Sequence, residues 1–310
     1  MITIWVPKRL VEVDLYNVAA RSPQALAQLS ENSYARRVQY AAQKVRGSGA
    51  KIVMLTGPSA SGKTTSAHCL AKALVQQGTP AQVVSLDNFF KGAAYYPKMP
   101  DGTLDYENLE TLDLPLIKQC LRQLSETGKT ELPIYDFATE QRSAEVEPID
   151  LQGGVCIVEG IHALNPELTG LVKGDDIYRI YAGLREEYAD SSDACCLATR
   201  DIRLARRIVR DYLFRGHGAA FTLGLWGHVC AGEERFIKPY KPRANLLLDT
   251  THTYEVCLWR TVLDAMPADP ELTPVQARQL EALRARFDAF PALGTELVPQ
   301  NSLLREFIGK

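Results

Sequence analysis

"KIVMLTGPSASGKTTSAHCLAKAL" (Lys51–Leu74) changes character twice within a few residues. An apolar run over 51–56 stops at Gly57. A loop of small residues follows, and Lys63-Thr64-Thr65 opens a segment in which Ala67, Leu70, Ala71 and Leu74 recur at helical spacing. Gly57 and Gly62 allow the backbone to turn so tightly that successive N–H groups point into one hollow. The first turn of the helix adds its positive end to the same place, which makes the hollow a seat for phosphate groups.

The residues "GPSASGKT" (57–64) satisfy G-x-x-x-x-G-K-[ST] in full, between a strand and a helix as the motif requires. In such a P-loop the backbone of Gly57, Ser59, Ala60, Ser61, Gly62, Lys63, Thr64 and Thr65 would cradle a nucleoside triphosphate. Lys63 would reach the β- and γ-phosphates as a catalytic point charge, and the Thr64 hydroxyl would ligate Mg²⁺. ATP or GTP with Mg²⁺ is therefore the expected cofactor. The motif alone does not name what receives the phosphate.

Outward from the loop, four more apolar runs read as buried strands: 81–86, 155–160, 177–182 and 245–249. Unbroken apolar runs suit parallel strands covered on both faces. Their alternation with helical segments predicts an α/β fold with a doubly wound, mainly parallel sheet and helices on both faces, with ligands beyond the carboxyl ends of the strands. Gly57, Asp87 and Glu159 fall at those ends. Three segments are expected: an N-terminal accessory segment (1–46), the P-loop domain (47–264) and a C-terminal helical extension (265–310). The first should hold a short strand in "ITIWV" and a helix around "SYARRVQYAAQKV", with "RGSGA" (46–50) as a turn-rich link. "DAMPADPELTP" (264–274) forms a second link. The last segment should hold a helix capped by Thr273, whose stripe Leu280, Leu283 and Phe287 fits packing on the core or on a second subunit.

The 310 residues are 46% hydrophobic and 23% charged, which allows a sizeable core. A formal net charge of −2 gives no electrostatic case for nucleic-acid binding. No apolar run is long enough to span a membrane, and the N-terminus lacks a charged leader. The 7 cysteines include no C-x-x-C pair, which points away from zinc and disulfides and toward a reducing cytoplasm.

Four stretches bear on the acceptor. "VVSLDNFFKG" (83–92) ends a strand with Asp87, placed either to take a proton from an attacking hydroxyl and help position Mg²⁺, or to cap the next turn. "VCIVEGIHAL" (155–164) sets Glu159 after a buried strand, where a carboxylate is costly without a partner. "TRDIRLARRIVRDYLFRGHG" (199–218) carries 6 arginines and no lysine. Its polar face is either solvated and paired with Asp201 and Asp211, or an arginine-rich helical lid for phosphate oxygens. "DGTLDYENLETLDLP" (101–115) and "LPIYDFATEQR" (132–142) mix rings, acids and an arginine, as a nucleoside-sized ligand needs. An irregular surface loop would read the same.

These motifs, in this order, resemble the uridine kinase/phosphoribulokinase group of P-loop kinases. The resemblance is carried by "GPSASGKTT", "SLDNFF", "LPIYDF…R" and "IVEGIHALNP", extended by "RRIVRDYLFRG" and "GEERFIKPY". It is greatest to bacterial uridine kinase-like nucleoside kinases, which share a segment like "NSYARRVQY" (32–40), and it runs from about residue 32 to 260.

The resemblance implies a nucleoside 5′-kinase. Asp87 would be the general base, with Glu159, Thr64 and Asp87 around Mg²⁺. Asp105 would hold the ribose hydroxyls, Tyr135 and Phe137 would line the nucleoside site, and Arg142 would lie nearby. Arg207, Arg210 and Arg215 would supply lid and substrate contacts. Two positions depart from the family pattern. Glu140 stands where a pyrimidine-reading histidine is usual, and His217 where an arginine is usual. Both touch substrate recognition, so a sugar, polyol, pantothenate-like or glycerate-like acceptor is the alternative. A non-catalytic nucleotide-binding regulator is a third reading, but it has no need of Asp87.

Overall fold

The computed structural model of the chain describes residues 6–99, 102–136, 139, 141–170, 172 and 176–309. In chain order the elements are β1 (Arg9–Glu12), α1 (Val13–Ala19), α2 (Pro23–Ser48), β2 (Ile52–Thr56), α3 (Lys63–Gln76), β3 (Ala81–Ser85), α4 (Leu114–Thr127), β4 (Lys129–Asp136) and β5 (Gln141–Asp150). They continue with β6 (Val155–Glu159), α5 (Pro166–Thr169), β7 (Ile177–Gly183), β8 (Glu186–Ala189), β9 (Cys195–Leu197), α6 (Thr199–Arg215), α7 (Ala219–Gly232), β10 (Leu246–Asp249), α8 (Val256–Asp264), α9 (Pro274–Arg286) and α10 (Arg305–Ile308).

The five apolar runs form one parallel sheet in the order β10-β7-β2-β6-β3. Both faces are covered, which is why the strands read as continuous apolar runs. Val53, Leu55 and Ile157 point into one core; Ile52, Met54, Cys156 and Val158 point into the other. The register matters for the site. Glu159 stands level with Leu55 on one side and Ser85 on the other. The ends of β2, β6 and β3 therefore deliver the loop after Thr56, the Glu159 carboxylate and the Ser85–Asp87 turn to one edge of the sheet.

The helix expected around "SYARRVQYAAQKV" is longer than its sequence pattern suggests, and a short helix, α1, precedes it. α2 buries Ala27, Tyr34, Val38, Ala41 and Val45 along one stripe and joins the core that α3 shares. "RGSGA" is not a separate link: α2 runs on through Gly47 to Ser48 and stops at Gly49, whose φ of 70° ends a helix readily. Of the "ITIWV" strand, residues 2–5 lie outside the described residues. The strand found nearby is β1, which pairs in parallel with β8. Arg9 there is bonded to Asp249 (2.8 Å) and Glu186 (2.9 Å). At the other end, Thr273 accepts from the Gln276 N–H as an N-cap, and Leu280, Leu283 and Phe287 are buried in this chain's own core.

Of "LPIYDF…R", residues 132–136 lie on β4 and Arg142 on β5, which pair antiparallel. Pro133 and Pro148 sit inside the pair, and the register shifts between Pro133 and Tyr135. Prolines and a bulge break the alternation by which a strand is recognised, so the segment reads as a loop.

Candidate active site

The loop after β2 is shaped by close approach. A Cβ on Gly57 would stand 2.2 Å from the Ala182 carbonyl oxygen of β7 and 2.7 Å from Ser61 Oγ. Ala60 takes a φ of 58° and Gly62 one of 80°. For alanine that conformation costs roughly 1–2 kcal/mol, so something must hold it. The holding groups come from α6. Arg203 donates to the Ser59 carbonyl (2.9 Å), Arg206 to the Ala60 carbonyl (3.2 Å), and Arg207 to Ser59 Oγ (2.7 Å). Arg206 is clamped in turn by both carboxylate oxygens of Glu255, at 2.7 Å each. Lys63 opens α3, and among the described residues its hydrogen bond is to the Pro58 carbonyl, at 3.5 Å.

The arginine run therefore divides. Its N-terminal half braces the loop from behind. Further along, the buried Asp211 gathers Arg210 (2.8 Å), Arg207 (3.2 Å) and Arg215 (3.6 Å), which hold its carboxyl below the usual range against the cost of burial. The pairing expected for Asp211 is found, in largely buried form, whereas Asp201 pairs with Arg286 of α9 (2.8 Å) and not with an arginine of this run. Arg206 was missed by sequence reasoning, although a charge among Ile202, Ala205 and Val209 on the core-facing stripe was a signal that it needed a buried partner. His217 stacks on Phe221, with ring centroids 3.9 Å apart.

Beside the loop, Glu159 is 3% exposed. It accepts from Ser85 Oγ (2.8 Å) and Thr64 Oγ1 (3.3 Å). Burial, and then the charge of Asp87, push its pKa up to about 7, against the pull of Lys63 and the Ser85 hydrogen bond. Asp87 opens to solvent, but the protein packed around it is the main cause that raises its carboxyl. Lys63, Arg215 and Arg210 act the other way. The capping role weighed for Asp87 belongs to Ser85, whose Oγ accepts from the Asp87 N–H at 3.3 Å. Among the described residues the Asp87 carboxylate makes no hydrogen bond. Two mutually repelling carboxylates and a threonine hydroxyl fit a hard divalent cation. No cluster of three or more His, Cys, Asp or Glu forms a closed cage among the described residues. Mg²⁺ needs none, since it keeps water and phosphate ligands.

The remaining candidates lie on the segment after β3 and on the paired strands β4 and β5. Asp105 accepts from Asn108 Nδ2 (3.1 Å). The Tyr135 hydroxyl lies 3.4 Å from that of Tyr96, and Phe90 packs on both rings at 5.6 and 5.8 Å. Arg142 ties β5 to the segment after β3: it pairs with Asp113 (3.0 Å) and donates to the Phe89 and Phe90 carbonyls. Phe137 and Glu140 lie outside the described residues.

Two further groups were missed. Glu107 has its carboxyl raised mainly by burial, with Arg207 and Lys63 lowering it and Asp87 and Asp105 raising it further. It therefore shares the field of the same cleft. His162 is 1% exposed, and burial pushes its pKa down to about 4. The Glu107 backbone lies close enough to oppose this, yet neither ring nitrogen has a hydrogen bond of full geometry. His162 follows Glu159 by three residues, a placement visible in the sequence once Glu159 is singled out.

The fold and its loop are those of a P-loop kinase. A model of the phosphoribulokinase/uridine kinase family matches residues 52–257, and the chain belongs to that family. Its members are kinases that act on hydroxyl groups. Among curated relatives, a uridine kinase of Lactobacillus helveticus is 31% identical over 202 residues, which is 64% of this chain and 85% of that one. A uridine kinase of Lactobacillus johnsonii is 29% identical over 201 residues, with the same coverage of 64% and 85%. Phosphoribulokinase from Rhodobacter spheroides is similar in structure at 16% identity and a TM-score of 0.46, over 64% of this chain and 68% of that one. Among the described residues no helix is long and apolar enough to cross a membrane.

Proposed function

We propose that this chain is a nucleoside kinase of the uridine/cytidine type, which transfers the γ-phosphate of ATP (or GTP) to a 5′-hydroxyl with Mg²⁺. The observation that carries the reading is the free carboxylate of Asp87. It is held by a turn that Ser85 caps, it lies in the field of Lys63, Arg210 and Arg215, and it makes no hydrogen bond among the described residues. Such a group is available to accept a proton from an attacking hydroxyl.

In this reading the cradle of Gly57–Thr65 fixes the triphosphate, and Lys63 with Arg210 and Arg215 stabilises the charge that spreads over the transferring phosphoryl group. Thr64 and Glu159 would hold Mg²⁺, which supplies further charge neutralisation when bound. Asp105 and the Phe90–Tyr96–Tyr135 rings would seat sugar and base. Phosphoryl transition states are loose, so positioning and charge should carry most of the rate.

Three residues favour a second reading, a kinase of another hydroxyl compound. Glu107 adds a carboxylate that the nucleoside pattern does not require, and Glu140 and His217 depart from that pattern. An acceptor screen with Mg-ATP and coupled ADP detection, covering ribonucleosides, deoxynucleosides, sugars and simple polyols, separates the two. Turnover on uridine or cytidine well above all other acceptors is the expected result. Turnover only on a non-nucleoside would replace the first reading with the second.

A further inference from the structure

The C-terminal segment reaches the phosphate cradle, although it lies beyond the stretch that the family model matches. Three contacts and one charge effect converge there. Leu303 packs on Gly62, so that a Cβ on that glycine would meet Leu303 Cδ1 at 2.7 Å. Thr65 Oγ1, in the first turn of α3, donates to Glu306 Oε2. The Phe307 ring lies 4.8 Å from the Arg206 guanidinium, which bonds the Ala60 carbonyl. The Glu306 charge is also one of those that raise Glu159. The segment is anchored rather than draped. Leu303, Leu304 and Phe307 are fully buried, and Ser302 donates to Glu31 of α2 at 2.6 Å.

We infer that residues 302–307 are a working wall of the donor-nucleotide site, and that Glu306 is a positioning residue that sets how tightly the triphosphate is held. The first-turn N–H groups of α3 are where a P-loop takes its phosphates. Glu306 places a carboxylate at that turn and commits the Thr65 hydroxyl as a donor to itself. The hydroxyl is then unable to donate to a phosphate oxygen, and a negative charge stands beside an anionic ligand. Leu303 and Phe307 act in the opposite sense, by keeping Gly62 and Arg206 in place. The tail thus shapes the cradle and limits its affinity, so donor binding and tail packing are linked.

This inference rests on the reading of the loop as the donor site, and the test separates the two. Mg-ATP binding to the full chain is measured by calorimetry for the wild type and for Glu306→Gln. Glutamine can still accept from Thr65 but carries no charge. The expected result is a Kd lowered about threefold to tenfold, a lower donor KM, and an acceptor KM that does not move. A purely structural role for Glu306 predicts an unchanged or weakened Kd, and that result would overturn the inference. Hydrogen exchange adds an independent readout: a tail that limits donor affinity is in turn loosened by the donor, so amides of 302–308 should lose protection when Mg-ATP saturates the site. Unchanged or increased protection counts equally against the inference. A wild type that binds no Mg-ATP would sink the donor reading, and this inference with it.

Discussion

Arg206 and Glu255 form a two-pronged ion pair in which both nitrogen–oxygen distances are 2.7 Å and neither side chain has any solvent exposure. The remaining Arg206 donors reach the carbonyls of Ala60 and Thr250, and the ring of Phe307 covers the guanidinium. One buried charge pair thereby joins the strained residue of the P-loop to α6, the end of β10 and the C-terminal segment.

Arg206→Ala should lower the free energy of unfolding by about 3–5 kcal/mol, because it strands the Glu255 carboxylate in the core. Chemical denaturation measures this directly. Arg206→Lys should recover only part of the loss, since an ammonium cannot bond both Glu255 oxygens and the Ala60 carbonyl from one planar fork. Equal stability of the alanine variant and the wild type would show that the pair holds nothing together.

Gly57→Ala tests the close approach of the loop to β7. The added methyl would fall 2.2 Å from a backbone oxygen of a central strand, which has no freedom to retreat. The loop must shift instead, and with it the N–H groups that face the phosphates. Mg-ATP affinity should fall by about tenfold or more, in line with the usual cost of overpacking. Gly47→Ala is the control, because a Cβ there meets nothing within 4 Å.

What was legible in the sequence follows from what fixed each element. The five core strands were readable because their burial leaves few polar positions, such as Gln82 and Arg179, to interrupt the apolar runs. Lys63, Asp87 and Glu159 were readable because each marks a strand end or a motif, and the register brings those ends together. The acceptor side was less so. Tyr135 and Arg142 lie on paired strands that their prolines hide, and the bonding of Arg142 to Asp113 is set by long-range packing. Glu107 and Glu306 carry no local signal, since each matters only through neighbours far away in sequence, whereas His162 was within reach through its spacing from Glu159.

The pH dependence of metal use should report on Glu159. Its pKa of about 7 lies above the usual carboxylate range, so the folded state favours the proton. As pH rises through about 7 the group ionises, which weakens the metal-free fold and strengthens its hold on a cation. The apparent Mg²⁺ activation constant should therefore worsen as pH falls below about 7 and level off above it. Activity titrations with Mg²⁺ at fixed ATP from acid to alkaline pH provide the check. A flat profile would remove Glu159 from the metal site.

Asp87→Asn separates proton transfer from binding. As the general base, Asp87 should be worth about 10²–10⁴ in turnover, while Mg-ATP affinity stays within a few fold of wild type. A second effect follows from the coupling of the two carboxylates. The charge of Asp87 is the second largest cause that raises Glu159, so its removal should move the pH midpoint for Mg²⁺ activation to lower values. The two readouts are independent: a rate loss without a midpoint shift would mean that Asp87 acts on the acceptor alone. Near-normal turnover with a shifted midpoint would mean that Asp87 serves the cation and that the proton leaves by another route, with Glu107, which feels the charge of Asp87, the next residue to replace.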